Sequence, residues 1–259
     1  MPDFLDKLAK DSRETIESGY YEKMVQNAAS KISLKKAICQ SKGAPVITEI
    51  KSASPSKGII RTDFEPAKVA QAMARGGAVG ISVLTEPKNF KGSLMSLEKT
   101  RQAVQLPILM KDIVLSSKQL EAASNAGANA VLLIQALFDR EYCECDVKDM
   151  ILKAHSLNLE VLLEAHSKAE FRQAICSEAE LIGINNRNLG TLEIDLNVTK
   201  SILYNDKAEG RIIISESGIE SADSVSFLRK CGADAFLVGS AVMLADNVEE
   251  KVRELATAY

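Results

Sequence analysis

Histidine occurs only twice in the 259 residues, at His155 and His166. That scarcity argues against a histidine-rich metal centre and against a conventional Ser-His-Asp triad. His155 falls in a helical pattern and is expected at the surface; His166 directly follows a predicted strand end, where contact with a site is the minor reading. Cysteines are few: Cys39, Cys143, Cys145, Cys176 and Cys231 are scattered, and only the pair in YCECD is close. No histidine flanks that pair, so reduced thiols are a better reading than a metal site. No apolar run approaches the roughly 20 residues that span a bilayer. The N-terminus, MPDFLDKLAKDSRETIESGYYEK, lacks an apolar signal region. Charge of one sign is also missing: a net charge of −3 and a pI near 5.6 leave no electrostatic footprint for nucleic acid or an anionic membrane. A cytoplasmic protein that binds neither is expected.

What the chain does have is enough apolar material, 46% of residues, to bury a substantial core. Its length suits two small domains or one large α/β barrel. From residue 45 onward, runs rich in Val, Ile and Leu alternate with amphipathic helical stretches. The strand candidates are PVITEIK (45–51), VGISVLT (79–85), PILMKDI (107–113), AVLLIQA (130–136), LEVLLEA (159–165), LIGINNR (181–187), IIISESG (212–218) and AFLVGSA (235–241). Helical patterns such as PAKVAQAMARGG, SLMSLEKTRQAV, SKQLEAASNAG, SKAEFRQAI and SADSVSFLRKCG lie between them. Gly77-Ala78, Gly127-Ala128 and Gly232-Ala233 recur just before strands two, four and eight, a repeated way of ending a helix and starting a strand. Eight strands alternating with helices is the pattern of a (β/α)8 TIM barrel. A doubly wound open sheet is the runner-up, but no G-x-G-x-x-G follows the first strand and no composition shift marks a second domain. One domain over 1–259 is expected, with 1–44 as additional N-terminal helices and 45–259 as eight βα units.

In such a barrel the chemistry gathers where the βα loops leave the C-terminal ends of the strands. The first run, VITEIKSASPSKG, ends with Glu49 and Lys51, two residues apart and therefore on one face. Strand two ends with Thr85 and Glu86, strand three with Lys111, strand four with Gln135 and strand five with Glu164. Strand six delivers Asn185 and Arg187, strand seven Glu216 and Ser217, and strand eight Gly239 and Ser240. The strand starts are apolar or small. Singly these residues have structural readings: Lys111 as a snorkelling lysine, Glu164 as a cap, Arg187 as an ion-pair partner. Together they converge polar groups on one mouth, and buried charges are rare unless paired or working. Gly218 and the Gly239-Ser240 pair sit at adjacent loops after strands seven and eight, a common phosphate cradle in barrels. Lysines, carboxylates and a phosphate cradle suit acid–base work on a small phosphorylated carbon skeleton.

These motifs resemble the indole-3-glycerol phosphate synthase family. The matching stretches are EIKSASPSKG (49–58), SVLTEPKNFKGS (82–93), PILMKDIV (107–114), GANAVLLI (127–134), LEVLLEAH (159–166), IGINNRNLGTLEIDL (182–196), ISESGI (214–219) and VGSAVM (238–243). They cover the chain from about residue 45 to its end. The resemblance implies ring closure of 1-(2-carboxyphenylamino)-1-deoxyribulose 5-phosphate to indole-3-glycerol phosphate, CO2 and water, in tryptophan biosynthesis, with no metal or organic cofactor. It implies Lys111 as the general acid of ring closure and Glu164 as the general base of the dehydration. Lys51 would contact the anionic substrate and is the candidate for a second acid, the residues alone leaving open which lysine serves which step. Glu49, Asn185, Glu216 and Ser217 would position substrate and lysines, with Arg187 beside them. Ser54, Ser56, Gly218, Gly239 and Ser240 would line the phosphate end, and Phe90, Leu133 and Leu189 would wall the anthranilate ring. Ser52 departs from the basic residue many relatives carry, but its side chain points away from the face of Lys51. The phosphorylated substrate is the only partner expected, the chain itself being a monomer or a weak homodimer. Two competing readings are a phosphoribosylanthranilate isomerase, which needs a cysteine that no predicted strand end supplies, and a non-catalytic barrel that binds a phosphometabolite.

Overall fold

A computed structural model of the chain describes residues 3–22, 32–54, 58–206, 208 and 210–258. Eight parallel strands close into a barrel: β1 (Val46–Ile50), β2 (Gly80–Leu84), β3 (Ile108–Lys111), β4 (Ala130–Ile134), β5 (Glu160–Ala165), β6 (Leu181–Asn185), β7 (Ile212–Glu216) and β8 (Ala235–Val238). Each strand pairs with its sequence neighbours, and β1 completes the ring against β8. The (β/α)8 TIM barrel expected from the alternating runs is therefore the fold. The runs carry little polar–apolar alternation because both strand faces are covered, by helices outside and by packed side chains within.

The inner layer holds Ile47, Leu109, Leu132, Leu162, Leu181, Ile214 and Leu237. The layer between sheet and helices holds their neighbours of opposite parity, among them Val46, Ile81, Met110, Val131, Leu133 and Leu163. The helices begin where small hydroxyl residues can cap them. Outside the sheet lie α3 (Pro66–Arg75), α4 (Leu94–Ala103), α5 (Ser117–Ala126), α7 (Val147–Ser156), α8 (Lys168–Ile175), α9 (Asn197–Asn205) and α10 (Ala222–Lys230), and the side chains of Ser93, Ser116, Ser167 and Ser221 accept a first-turn N–H to open α4, α5, α8 and α10. The recurrent Gly-Ala pairs have a backbone cause. Gly77, Gly127 and Gly232 take φ of +100°, +90° and +105°, a left-handed turn that lets a helix stop and the next strand start.

Among the described residues two α-helices precede the barrel and close opposite ends of it. Leu34, on α2 (Leu34–Cys39), lies against Gly80 at the start of β2, while Glu160 at the start of β5 accepts the Leu34 N–H at 2.7 Å. At the other end, Leu5 and Leu8 of α1 (Phe4–Glu17) turn into the mouth. Arg140 holds α1 through Asp3 (2.8 Å) and Asp6 (2.6 Å), and the Ser12 hydroxyl donates to the Ile113 carbonyl at 2.7 Å. Among the described residues no helix is long and apolar enough to cross a membrane.

Candidate active site

The C-terminal ends of the strands surround a cleft of about 1120 Å³, part of it open solvent. Strand β3 ends on Lys111, whose Nζ lies 2.8 Å from Glu216 Oε2 on β7 and 3.2 Å from Glu164 Oε2 on β5. Both carboxylates are buried, at 2% exposure or less. One ammonium thus bridges two acids delivered from different strands across the barrel. On β1, Glu49 Oε1 lies 2.8 Å from the Nζ of Lys51 just beyond it, and the two reach the mouth from one face, as their spacing dictates. Lys51 Nζ approaches Gly239 so closely that a Cβ there would stand 2.7 Å away.

The electrostatics divide the two acids on Lys111. Burial pushes the Glu216 carboxyl up to about 8, against the pull of Lys111 and with the charge of Glu164 adding to the rise. Burial opposes ionisation of Glu164 as well, but Lys111 and His166 outweigh it and hold this carboxyl far below the ordinary range. Burial also disfavours the Lys111 cation, and its three carboxylate neighbours, Glu164, Glu216 and Glu49, more than reverse that and bind its proton more tightly than usual. Lys111 therefore holds its proton at rest, and of the two acids on it Glu164 is biased toward the carboxylate and Glu216 toward the protonated form.

Around this centre the loops are shaped by backbone-directed carboxylate and amide groups. Glu86, buried after β2, accepts the N–H groups of Lys88 (3.0 Å), Asn89 (2.7 Å) and Phe90 (2.9 Å), and so folds the loop that presents the Phe90 ring to the mouth. Asn185 Oδ1 accepts the Arg187 N–H at 3.0 Å, and Arg187 reaches the Leu192 carbonyl at 3.3 Å. Asn186, one residue on and facing outward, donates to the carbonyls of Glu216 (3.0 Å) and Ser217 (3.1 Å). That amide staples the end of β7, where Ser217 and Gly218 adopt φ of +68° and +78°. A serine held left-handed beside a buried acid is backbone strain of the kind that collects at working sites.

The mouth brings together Glu49, Lys51, Ser54, Phe90, Lys111, Glu164, Asn185, Arg187, Leu189, Glu216, Ser217, Gly218, Gly239 and Ser240. Ser56 lies outside the described residues. Leu133 is a correction: it is buried in the outer layer against the helices, and Leu132 and Ile134 line the mouth instead. The side chains of a strand alternate, so a wall residue on β4 must share parity with Leu132. Gln135 begins the short helix α6 (Gln135–Asp139) and donates to Asp139 (2.8 Å) and Gln173 (2.7 Å), away from the centre. Sequence reasoning passed over three kinds of residue here: the apolar lid of Phe4, Leu5 and Leu8, the staple Asn186, and Asp112 next to Lys111; Glu86, expected at the mouth from the end of strand two, lines it and anchors its loop. Asp112 faces the opposite way from Lys111 and accepts the Tyr21 hydroxyl at 3.0 Å; burial lifts its carboxyl to about 7 despite that bond and one from Thr85. None of the five cysteines lines the mouth. Among the described residues no group of three or more His, Cys, Asp or Glu is placed to hold a metal ion.

Comparison with known proteins gives a consistent answer. A family model described as indole-3-glycerol phosphate synthase matches residues 5–255. A curated indole-3-glycerol phosphate synthase of Polaromonas naphthalenivorans is 38% identical over 98% of this chain and 99% of its own. The enzyme of that name from Acetivibrio thermocellus is 39% identical over 96% of this chain and 94% of its own. One from Neisseria meningitidis is 43% identical over 81% and 78%. Among solved structures, a thiamine phosphate pyrophosphorylase from Pyrococcus furiosus superposes with a TM-score of 0.60 at 18% identity, covering 86% of this chain and 96% of its own, a likeness of fold alone.

Proposed function

The chain belongs to the indole-3-glycerol phosphate synthase family, a carboxy-lyase activity of tryptophan biosynthesis, and we propose that its barrel mouth performs that reaction through Lys111, Glu164 and Lys51. The reaction closes the ring of 1-(2-carboxyphenylamino)-1-deoxy-D-ribulose 5-phosphate, expels CO2 and then water, and leaves indole-3-glycerol phosphate. The observation that carries the reading is the Lys111 ammonium held within 3.2 Å of two buried carboxylates from β5 and β7.

As the substrate ring attacks its ketone, the carbonyl oxygen becomes a much stronger base and takes the Nζ proton of Lys111. Loss of CO2 restores the aromatic ring. Glu164, kept as a carboxylate, then removes the proton whose loss accompanies departure of the hydroxyl, with Lys51 as the acid on that oxygen. Glu49, Asn185, Glu216 and Ser217 hold these groups and the substrate in place, and Arg187 flanks them. Lys51, Ser54, Gly218, Gly239 and Ser240 share the end of the mouth at β1, β7 and β8 and suit the phosphate. Phe90 and Leu189, with Leu132 and Ile134 on β4, suit the anthranilate ring. No step in this scheme calls on a metal or organic cofactor. We place the chain in the cytoplasm as one domain, a monomer or a weak homodimer; its free cysteines suit a reducing compartment.

The test is direct. The chain has no tryptophan, so indole formation reads as rising fluorescence over a background of tyrosine alone. Purified protein given the substrate in excess EDTA makes indole-3-glycerol phosphate at the same rate as without chelator. Folded protein that gives no product, or gives it only when metal is added, overturns the reading and favours a binding protein on the same fold.

A second expectation concerns two glycines that leave room for the acids. A Cβ at Gly183 on β6 would lie inside contact distance of Glu216 Oε1, and one at Gly239 would crowd Glu49 Oε1 and Lys51 Nζ. Each obstacle is the end of a side chain, so the backbone can stay where it is and the charged group must move. Gly183→Ala and Gly239→Ala should therefore melt within a few degrees of the parent while losing on the order of 10²-fold in kcat/KM, as misplacements near 1 Å do. Thermal melts and steady-state assays on the same preparations separate the two effects. Equal losses of stability and activity would mean the glycines serve the fold instead.

A further inference from the structure

We infer that His166 is a positioning residue that decides which of the two carboxylates on Lys111 serves as the base. The inference rests on the reading of Glu164 as the base in the proposed function. Glu164 and Glu216 make an internal comparison: both are buried, both touch Lys111 Nζ, and they differ in what stands on their far oxygen. Glu216 Oε1 has no hydrogen-bond partner among the described residues. Glu164 Oε1 instead meets the His166 imidazole, with Nε2 at 3.2 Å.

The ring has a second anion on its other side, Glu170 Oε2, 3.5 Å from Nδ1. Neither ring nitrogen is aligned for a hydrogen bond, so these are charge contacts that a small rotation of the ring would tighten. Glu170 is fixed in turn by the His166 backbone N–H at 2.8 Å and the Ser167 hydroxyl at 3.0 Å, at the start of α8. The other charged groups around the adjoining cavity are Asp3 and Arg140, paired at 2.8 Å, together with Arg187, Glu193 and Asp195. Burial works against the imidazolium, but Glu164 and Glu170 outweigh it and lift the ring to about 9.

The consequence lies in the order of proton transfers. When Lys111 gives its proton to the substrate oxygen it becomes neutral, and a buried carboxylate left without any cation would be driven to protonate. Among the described residues Glu216 has no second cation, whereas Glu164 keeps His166. The Glu164 carboxylate therefore survives the first proton transfer and is available for the second. His166 itself touches no reacting atom in this scheme and gives up no proton; it acts through Glu164.

With only two histidines in the chain, imidazole resonances of protein carrying ¹³C-histidine can be followed across pH without ambiguity. The signal absent from His166→Gln should titrate above pH 8 in the unsubstituted protein, and its midpoint should fall by about one unit or more in Glu164→Gln. In turnover, His166→Gln should shift the acid limb of the kcat–pH profile upward, so that the ratio of kcat at pH 6 to that at pH 8 drops about tenfold relative to the parent. KM should stay within about twofold. A merely structural role would lower kcat evenly across pH, and a profile parallel to the parent's overturns the inference. A resonance titrating above pH 8 is read in the unsubstituted protein itself, and the variants serve only to assign it and to test its cause. Normal turnover with an imidazole in the ordinary histidine range overturns this inference alone. No turnover at all, with the imidazole titrating high, overturns the reaction reading and the base assignment with it.

Discussion

Lys111→Ala should leave a folded barrel that releases CO2 and forms product at about 10⁻³ of the parent kcat or below, in the range expected for loss of a general acid. The stem of Lys111 fills little of the core, and its job is to place one ammonium against Glu164 and Glu216. Removing it leaves two buried carboxyls without their shared ammonium, Glu164 keeping only His166, and breaking a buried ion pair from one side costs about 3–5 kcal/mol when the remaining charge cannot escape. These carboxyls can escape by taking up protons, and that gives the variant a pH signature. Without the ammonium both folded-state pKa values rise, while the unfolded chain titrates in the ordinary carboxyl range. Between the two, the folded state holds protons the unfolded state has released, so stability falls as pH rises. Glu216, already pushed up to about 8 in the intact site, rises further without the ammonium, so the window runs from the ordinary carboxyl range to beyond pH 8. The melting deficit of Lys111→Ala should be small at pH 5 and grow toward pH 8, as thermal melts across that range would read. A deficit that does not change with pH, or a variant that still turns over near the parent rate, would mean Lys111 is not the shared cation of a working pair.

How much of this could be read from the residues follows from what period-2 patterning carries. Each predicted run contains an observed strand, because Gly and Ser punctuation marked the ends and uninterrupted Val, Ile and Leu marked a sheet covered on both faces. Polar residues at strand ends were legible because a charge inside an apolar run has few other reasons to be there. Glu49, Lys51, Lys111, Glu164 and Glu216 were found in that way and do line the mouth. The run AVLLI shows where the method stops: with no polar residue in it, nothing fixes which parity faces inward, and Leu133 was placed on the wrong side. Asp112 was hidden by its neighbour, since the residue after an inward lysine faces outward, here to Tyr21. The lid of Phe4, Leu5 and Leu8 depends on α1 folding back over a barrel mouth far along the chain, and no local pattern encodes that. His166 was seen only as the residue after a strand; its placement against Glu164 needs both the β5 register and the first turn of α8.

Glu164→Gln should lower kcat by about 10²- to 10⁴-fold, but at a later step than Lys111→Ala. Lys111 keeps Glu216 as a partner in that variant, so the first acid remains in place and ring closure can proceed. Mixed in excess over labelled substrate, Glu164→Gln should release CO2 in a single turnover while indole fluorescence stays low, the ring-closed and still hydroxylated compound accumulating. Lys111→Ala should be slowed in both. Glu216→Gln supplies the contrast. Burial biases Glu216 toward its protonated form, and a glutamine amide resembles a protonated carboxyl in size and in having one donor and one acceptor side. That substitution should therefore cost much less than the same change at Glu164, even though both side chains touch the same ammonium. The asymmetry is the physical content of the assignment: both carboxylates touch the same ammonium, and only what meets their far oxygens, His166 on one and no hydrogen-bond partner among the described residues on the other, separates base from support. If Glu216→Gln proves the more damaging, the roles are reversed and the proton in the resting site sits on Glu164.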